Sequence, residues 1–453
     1  MKKTDVLIIG GSAAGLVAAL TGKSSWPEKH FTLIKKQEQV MIPCGIPYIF
    51  GTLESSDQNL LPVDKMMAAN GIESLVGEVI EIDKSNKKVV LKSGEEIGYD
   101  KLVIGTGSLP SRPKWLKGAD KQGVFVIPKD KIYLDEMRKS LEGMKKIVVI
   151  GAGFIGVEFS DELKKLGMEV TLVEKMPEIL NQAFDPELSV KIQKILTDRG
   201  VNVITGNGIA EVTGDNSVKG VKLENGEVIE TDAVILSMGY LPNTTLAERA
   251  GIFLDENKFI TVDEYMRTRE ADIFAVGDCA QKRDFITRKR VPTMLASTAC
   301  AEARIAGMNL FQLNVVKTFS GTIAIYSTAI GEHGFGTAGI TETKAKEEGF
   351  VTVTGLFEGI DRHPGILPGA HAQIVKLVAA KHSGIIIGGA VIGGSSAGEL
   401  TNTIGLAIEN RMSINSLITS QVGTHPCLTA SPAAYPLIKA AEMIEKKMRE
   451  SMK

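Results

Sequence analysis

Twice along this chain a short run of aliphatic, β-branched residues leads into a glycine-rich turn and then an Ala/Leu-rich stretch of helical texture, starting at Asp5 and at Lys146. That order is the signature of a βαβ unit, whose strands are apolar on both faces because helices cover the parallel sheet from either side. Two such units predict two nucleotides held at two sets of strand ends, as electron transfer between two cofactors requires. Past about residue 315 the texture changes to alternation: strands are predicted over 322–326, 351–357 and 373–379, and helices from Ser396 and from Ser413. This last part reads as an α+β domain without a nucleotide loop.

The first turn, V-L-I-I-G-G-S-A-A-G, has Gly10 and Gly15 in place but Ser12 where the middle glycine of G-x-G-x-x-G stands. Small side chains from Gly11 through Ala13 and Ala14 still let a pyrophosphate approach the helix N-terminus, where free N–H groups favour an anion. The next strand, expected over 30–34, runs into Lys35 where a carboxylate usually receives the ribose hydroxyls. Lysine only donates, so the ribose needs another acceptor, Glu38 or a main-chain carbonyl. The second turn, I-V-V-I-G-A-G-F-I-G, carries Gly151, Gly153 and Gly156 with Phe154 and Ile155 between them, and its following strand ends on Glu174. A carboxylate there suits the two ribose hydroxyls of NADH and repels a 2′-phosphate, by roughly 4 kcal/mol for like charges ~4 Å apart at an effective dielectric near 20. NADH is therefore expected over NADPH, with Lys175 able to offset part of the repulsion.

Composition narrows the field. With 453 residues, 43% of them apolar and 23% charged, the chain can bury several cores, and its length suggests about three domains. A formal net charge of −2 leaves no field to hold a nucleic acid or an anionic bilayer, so neither is expected as a partner. Lys2-Lys3 before an apolar stretch mimics a secretory signal, but the glycines at 10, 11 and 15 belong to a dinucleotide fold instead. The apolar run at 385–392 is short and broken by glycine, unlike a membrane span. Four scattered cysteines form neither a disulfide framework nor a metal pattern, which points to a reducing cytoplasm and no metal.

Four further segments carry a resemblance across essentially the whole chain: Y-D-K-L-V-I-G-T-G-S-L-P at 99–110, G-F-I-G-V-E at 153–158, M-G-Y-L-P-N at 238–243 and I-F-A-V-G-D-C-A at 273–280. The sequence resembles the pyridine nucleotide-disulfide oxidoreductases, the family of glutathione reductase, lipoamide dehydrogenase, NADH oxidase/peroxidase and coenzyme A disulfide reductase. The resemblance implies an α/β fold with two Rossmann-like domains, FAD along 1–115 and 245–315 and NAD along 116–244, followed by a dimerisation domain at 316–453 and hence a homodimer. It implies that Val79, Thr106, Gly107, Ser108, Gly277, Leu295 and Ala296 line FAD, with Gly239 also at a cofactor, and that Asp278 bonds the flavin ribitol, although an Asp after glycine also forms turns. Glu158 falls near the nicotinamide end of the flavin; as a first-turn glutamate it equally suits the helix dipole.

In the family, the redox cysteine starts a helix against the flavin, and here V-M-I-P-C-G-I-P-Y places Cys44 there, with Pro47 suited to a first helical turn. A helix N-terminus lowers a thiol's pKa and supplies thiolate. Cys279 and Cys300 read as small packed residues. The second cysteine that glutathione and lipoamide enzymes carry five positions on is Ile49, so Cys44 acts either through a mixed disulfide with a small thiol or through a sulfenic acid. The P-C-G-I-P-Y string looks like coenzyme A disulfide reductase, and the histidine of the oxidase/peroxidase loop is Ala13. Against this, Ile366-Leu367 replace the tyrosine before Pro-Gly-Ala, and V-G-T-H-P-C resembles the His-Pro segment whose histidine, here His425, reaches the partner subunit as acid/base; the acidic residue that would orient it is Ala430. Cys427, two residues on, could resolve a mixed disulfide in trans. The expected function is reduction by NADH, through FAD and Cys44, of a small disulfide, persulfide or polysulfide, coenzyme A derivatives among them. Alternatives are an NADH oxidase or peroxidase, a reductase of an electron-transfer protein, and a non-catalytic NADH-binding module.

Overall fold

The computed structural model describes residues 2–451, and the two glycine turns lie at the carboxyl ends of central strands of two separate sheets, the first mixed with a parallel core and the second parallel. In the first sheet the strand Lys2–Ile9 runs parallel to Phe31–Lys35 on one side and to Glu96–Ile104 on the other, with Ile8 opposite Leu33 and Val103. Val6, Leu7 and Ile8 have no exposed surface, as expected for a strand covered on both faces. Ile273–Ala275 joins this sheet beside Glu96–Ile104, so the chain returns to it after building the second sheet. The second sheet is wholly parallel, five strands in the order Val124–Val126, Ala233–Leu236, Lys146–Ile150, Glu169–Val173, Asn202–Ile204.

The two units are joined by a ribbon in which Ser108–Pro110 pairs antiparallel with Tyr240–Pro242. Two of the segments that carried the family resemblance, far apart in sequence, are thus neighbours. Asn243 secures the crossing: its N–H donates to the Gly107 carbonyl at 2.9 Å, and its own carbonyl accepts from the Thr106 hydroxyl at 2.6 Å.

The C-terminal part is an antiparallel five-stranded sheet, Tyr326–Ile330, His333–Gly339, Ile386–Gly393, Ala372–Ala380, Thr352–Ile360, packed by the helices Ala397–Glu409 and Pro436–Glu450. Ser396 and Ser413 are the helix N-caps, and the Ser413 hydroxyl accepts the Ser416 N–H. The apolar run at 385–392 is mostly the central strand, buried throughout. The strand predicted over 322–326 is displaced to Tyr326–Ile330: Gly321 and Ala324 take positive φ, of 107° and 55°, which no extended strand allows. Among the described residues no helix is long and apolar enough to cross a membrane.

Lys376 fastens this sheet to the second parallel unit. Its buried ammonium lies 2.8 Å from Asp185 and 2.9 Å from Glu342, and also meets Glu187. Burial lowers the lysine's affinity for its proton, but the three carboxylates outweigh that and hold it well above the ordinary lysine range.

Candidate active site

Each glycine turn ends in an open helix N-terminus. In the first, Gly10 has φ +121° and a Cβ there would lie 2.1 Å from the Gly105 carbonyl oxygen, so only glycine lets the adjoining strands close beneath the turn. Ser12 is the N-cap of helix Ala13–Ser25, yet its hydroxyl caps nothing and no acidic residue occupies the first turn. In the second, Gly153 is the N-cap of helix Phe154–Lys165, and a Cβ there would meet nothing within 4 Å. Two uncapped N-termini facing open space suit two phosphate-bearing ligands, because the free N–H groups have no other partner.

Both turns open into one cavity of about 1290 Å³. From the first unit it is lined by Gly10, Ser12, Ala13, Ala14, Lys35, Val79, Thr106, Gly107 and Ser108, and from the returning segment by Gly277, Asp278, Leu295 and Ala296. From the second unit come Gly153, Phe154, Ile155, Glu158, Glu174 and Gly239, and Cys44 lies between the two sets. Gly15, Gly151 and Gly156 sit behind these walls: the sites of their missing Cβ atoms are filled by the Gly10, Ser237 and Gly151 carbonyls, so they shape the turns. His425 is exposed and does not line this cavity.

Cys44 does not begin an α-helix as expected. It sits in the single 3₁₀ turn Pro43–Gly45, and Pro47 opens a second one, Pro47–Phe50. The turn is clamped by Asn59, whose amide donates to the Ile42 carbonyl at 3.0 Å. The next segment is pressed on helix Phe154–Lys165, with the Phe50 and Phe159 rings 4.8 Å apart and the Thr52 hydroxyl donating to Glu162 at 3.0 Å. The thiol faces the cavity, yet desolvation by its surroundings pushes its pKa up, and Glu158 and Asp278 add to this, while Lys129 pulls it down. The expected lowering by a helix N-terminus is therefore absent, because one 3₁₀ turn aligns too few peptide dipoles.

Glu158 is the fifth residue of its helix, a turn deeper than a dipole partner, and its carboxylate accepts a hydrogen bond of 2.6 Å from Thr328 of the C-terminal sheet. Burial raises its pKa to about 7, with Glu162 adding and the Thr328 bond opposing. Asp278 lies in the 3₁₀ turn Gly277–Cys279, its Oδ2 accepting from Ser108 at 2.7 Å and from Lys129 at 2.8 Å, which leaves Oδ1 for a ligand hydroxyl. Burial alone would raise this carboxyl, but the Lys129 ammonium and the two hydrogen bonds hold it below the ordinary range. Lys129 carried no sequence signal: it follows a proline in the link to the second unit and finds its partners only through the fold.

Lys35 lines the cavity, but its ammonium is already engaged, bonding the Glu38 carbonyl and, at 3.0 Å, Asp64. The Glu38 side chain does not line the cavity, whereas Gln37 and Glu78 do. Glu174 accepts the Ala152 N–H at 2.7 Å and the Met176 N–H at 2.9 Å, one on each oxygen, and each oxygen retains a lone pair for a ribose hydroxyl. Lys175 pairs with Glu224 at 2.9 Å. Among the described residues no acidic side chain bonds the His425 ring, whose Nδ1 accepts the Cys427 N–H at 3.2 Å. That bond places the neutral ring's proton on Nε2. Cys279 is fully buried, Cys300 is half-buried, and Cys427 is exposed.

Residues 4–303 match the family model described as pyridine nucleotide-disulphide oxidoreductase, and 325–434 match that family's dimerisation domain. The chain belongs to this family. As a member it is an oxidoreductase that uses FAD and a pyridine nucleotide, and the two open helix N-termini fit those ligands. It is 30% identical over 454 residues to a protein of Methanocaldococcus jannaschii named NADH oxidase, covering 98% of this chain and 99% of that one. It is 30% identical over 397 residues to an NAD(P)H coenzyme A polysulfide/persulfide reductase of Pyrococcus horikoshii, covering 86% and 88%. The structure of an NAD-dependent persulfide reductase from A. fulgidus superposes with a TM-score of 0.90 at 30% identity, over 99% of this chain and 84% of that one.

Proposed function

We propose that this chain is an FAD-dependent NADH oxidoreductase that reduces a small disulfide, persulfide or polysulfide through Cys44 alone. The carrying observation is that the Cys44 thiol shares one cavity with both glycine turns, while the position five residues on is the fully buried Ile49. Residues 1–115 and 245–315 hold FAD, with Asp278 at the ribitol; residues 116–244 hold NADH, with Glu174 at the ribose. The dimerisation domain, residues 316–453, supports a homodimer. Four free thiols suit a reducing cytoplasm.

FAD, when bound, accepts a hydride from NADH and returns an electron pair to sulfur. The chain's own residues manage the thiol. The Cys44 thiolate attacks one sulfur of the substrate, the substrate S–S bond breaks, and a mixed disulfide forms as the second thiolate departs. That thiolate takes a proton from a nearby acid. Glu158, poised near neutrality, holds one within the cavity, and His425 of the partner subunit would donate a hydrogen bond from Nε2–H to the departing sulfur. The electron pair that bound FAD would supply then breaks the S–S bond of the mixed disulfide, releasing the remaining half of the substrate as a thiolate and leaving Cys44 as the thiolate that begins the next round.

The relative named NADH oxidase keeps a second reading open, in which Cys44 cycles through a sulfenic acid. Against it, Ala13 brings no hydrogen-bonding side chain to the cavity wall. NADH-reduced protein mixed anaerobically with coenzyme A disulfide, polysulfide, hydrogen peroxide or oxygen separates the readings by which acceptor reoxidises it fastest. Cys44→Ser should still be reduced by NADH but lose disulfide turnover by about a thousandfold or more. Retained turnover with coenzyme A disulfide would end the single-cysteine mechanism.

A further inference from the structure

Behind the Asp278 turn, on the side away from the cavity, two ionisable groups are sealed in the core. Lys282 and Glu302 have no exposed side-chain surface, and their charged atoms are 3.5 Å apart. Glu302, on helix Ala296–Met308, accepts the Gly277 N–H on Oε2 at 2.7 Å, while its buried Oε1 has no hydrogen-bond partner among the described residues. The Lys282 ammonium donates to the carbonyls of Gly277 at 2.6 Å and Ala280 at 2.9 Å. The turn that carries Asp278 is thus gripped at both ends by one ion pair. Buried pairs add little stability over apolar residues of the same volume, so this one needs a reason other than core packing.

We propose that Lys282 and Glu302 are positioning residues for Asp278, fixing the Gly277–Ala280 backbone so that Oδ1 meets the flavin's ribitol hydroxyls. The inference rests on the FAD placement proposed above. Each half of the device has its own hold on the aspartate: Ser108 and Lys129 grip Oδ2 from the cavity side, and the buried pair sets the backbone from the core side. Gly277, at φ +78°, accepts this geometry without strain but does not itself enforce it, and the buried pair holds the backbone there.

The test is a double-mutant cycle read by the FAD dissociation constant of reconstituted protein. Lys282→Met with Glu302→Leu removes both charges together, so no lone charge is left buried. In the natural background the pair variant should bind FAD about tenfold more weakly, with NADH affinity unchanged. In an Asp278→Ala background the same change should cost less than about twofold. Equal losses in both backgrounds, or undiminished FAD affinity in the pair variant, would overturn the proposal. Undiminished FAD affinity in Asp278→Ala alone would instead remove Asp278 from the FAD site, and the proposal with it. If the first pair is not recovered folded, Lys282→Met with Glu302→Gln retains an acceptor for the Gly277 N–H and is read by the same dependence on Asp278.

Discussion

Thr328 and Glu158 meet at 2.6 Å across the junction between the C-terminal sheet and the helix that opens the second glycine turn. The hydroxyl is the carboxyl's one side-chain partner among the described residues, and it binds either protonation state, since a hydroxyl both donates and accepts. Glu158 is therefore free to exchange a proton without losing its anchor. Two predictions follow from its surroundings, and two from other parts of the site.

The first concerns the thiol. Desolvation and Glu158 raise the Cys44 pKa, and Lys129 lowers it. Alkylation of Cys44 with iodoacetamide, followed by mass spectrometry across pH, should show a midpoint that moves down in Glu158→Gln and up in Lys129→Met. A midpoint unmoved by either change would show that neither charge governs the thiolate.

Stability should carry the same signature. The Glu158 pKa is raised from 4.5 to about 7, so the unfolded chain releases this proton at lower pH than the folded one. The group's contribution is fully present below about pH 4.5 and is lost as pH rises through about 7, a span on the order of 3 kcal/mol. Urea midpoints should show Glu158→Gln gaining on the natural protein as pH climbs through that window. A constant difference would mean that the carboxyl titrates as an ordinary glutamate.

Glu174→Ala should narrow the preference for NADH over NADPH by about ten- to a hundredfold in kcat/KM. NADH itself should bind less well, because the carboxylate also holds the Ala152 and Met176 N–H groups. A natural protein that already prefers NADPH in steady-state kinetics would contradict the assignment.

Cys427 and Cys44 are both exposed, and the Cys427 backbone is bonded to the His425 ring. If the partner's His-Pro segment enters the cavity, mild oxidation should yield a covalent dimer on a non-reducing gel, absent in Cys44→Ser and in Cys427→Ser. Such a bond needs Cα atoms within about 7 Å. A monomer band throughout would leave Cys44 working with a small thiol.

The glycine turns and both strand-end residues were legible in the sequence because each depends on a local pattern: a glycine spacing, an apolar run and the residue that ends it; the position of Cys44 in the cavity was legible only through the resemblance of its segment to the family's redox cysteine. Residues whose roles depend on distant partners were not. Lys129 meets Asp278 across 149 positions and Thr328 meets Glu158 across 170, and no periodicity encodes such pairings. The environment of Cys44 was misread for a related reason. Pro43 and Pro47 permit an α-helical start and a 3₁₀ turn alike, and the choice falls to the clamp at Asn59 and the packing on Phe159.

At Gly51, a Cβ would lie 2.4 Å from the Glu162 carbonyl oxygen, so the cysteine segment rests on the bare backbone of helix Phe154–Lys165. Mechanically, the segment from the first unit and the helix from the second are a single solid part. A displacement of that helix that keeps these contacts carries the cysteine segment with it, so the spacing between the thiol and the second glycine turn changes little. A catalytic cycle built on this part has to make its large movements elsewhere, in the exchange of ligands and in the side chains that line their route.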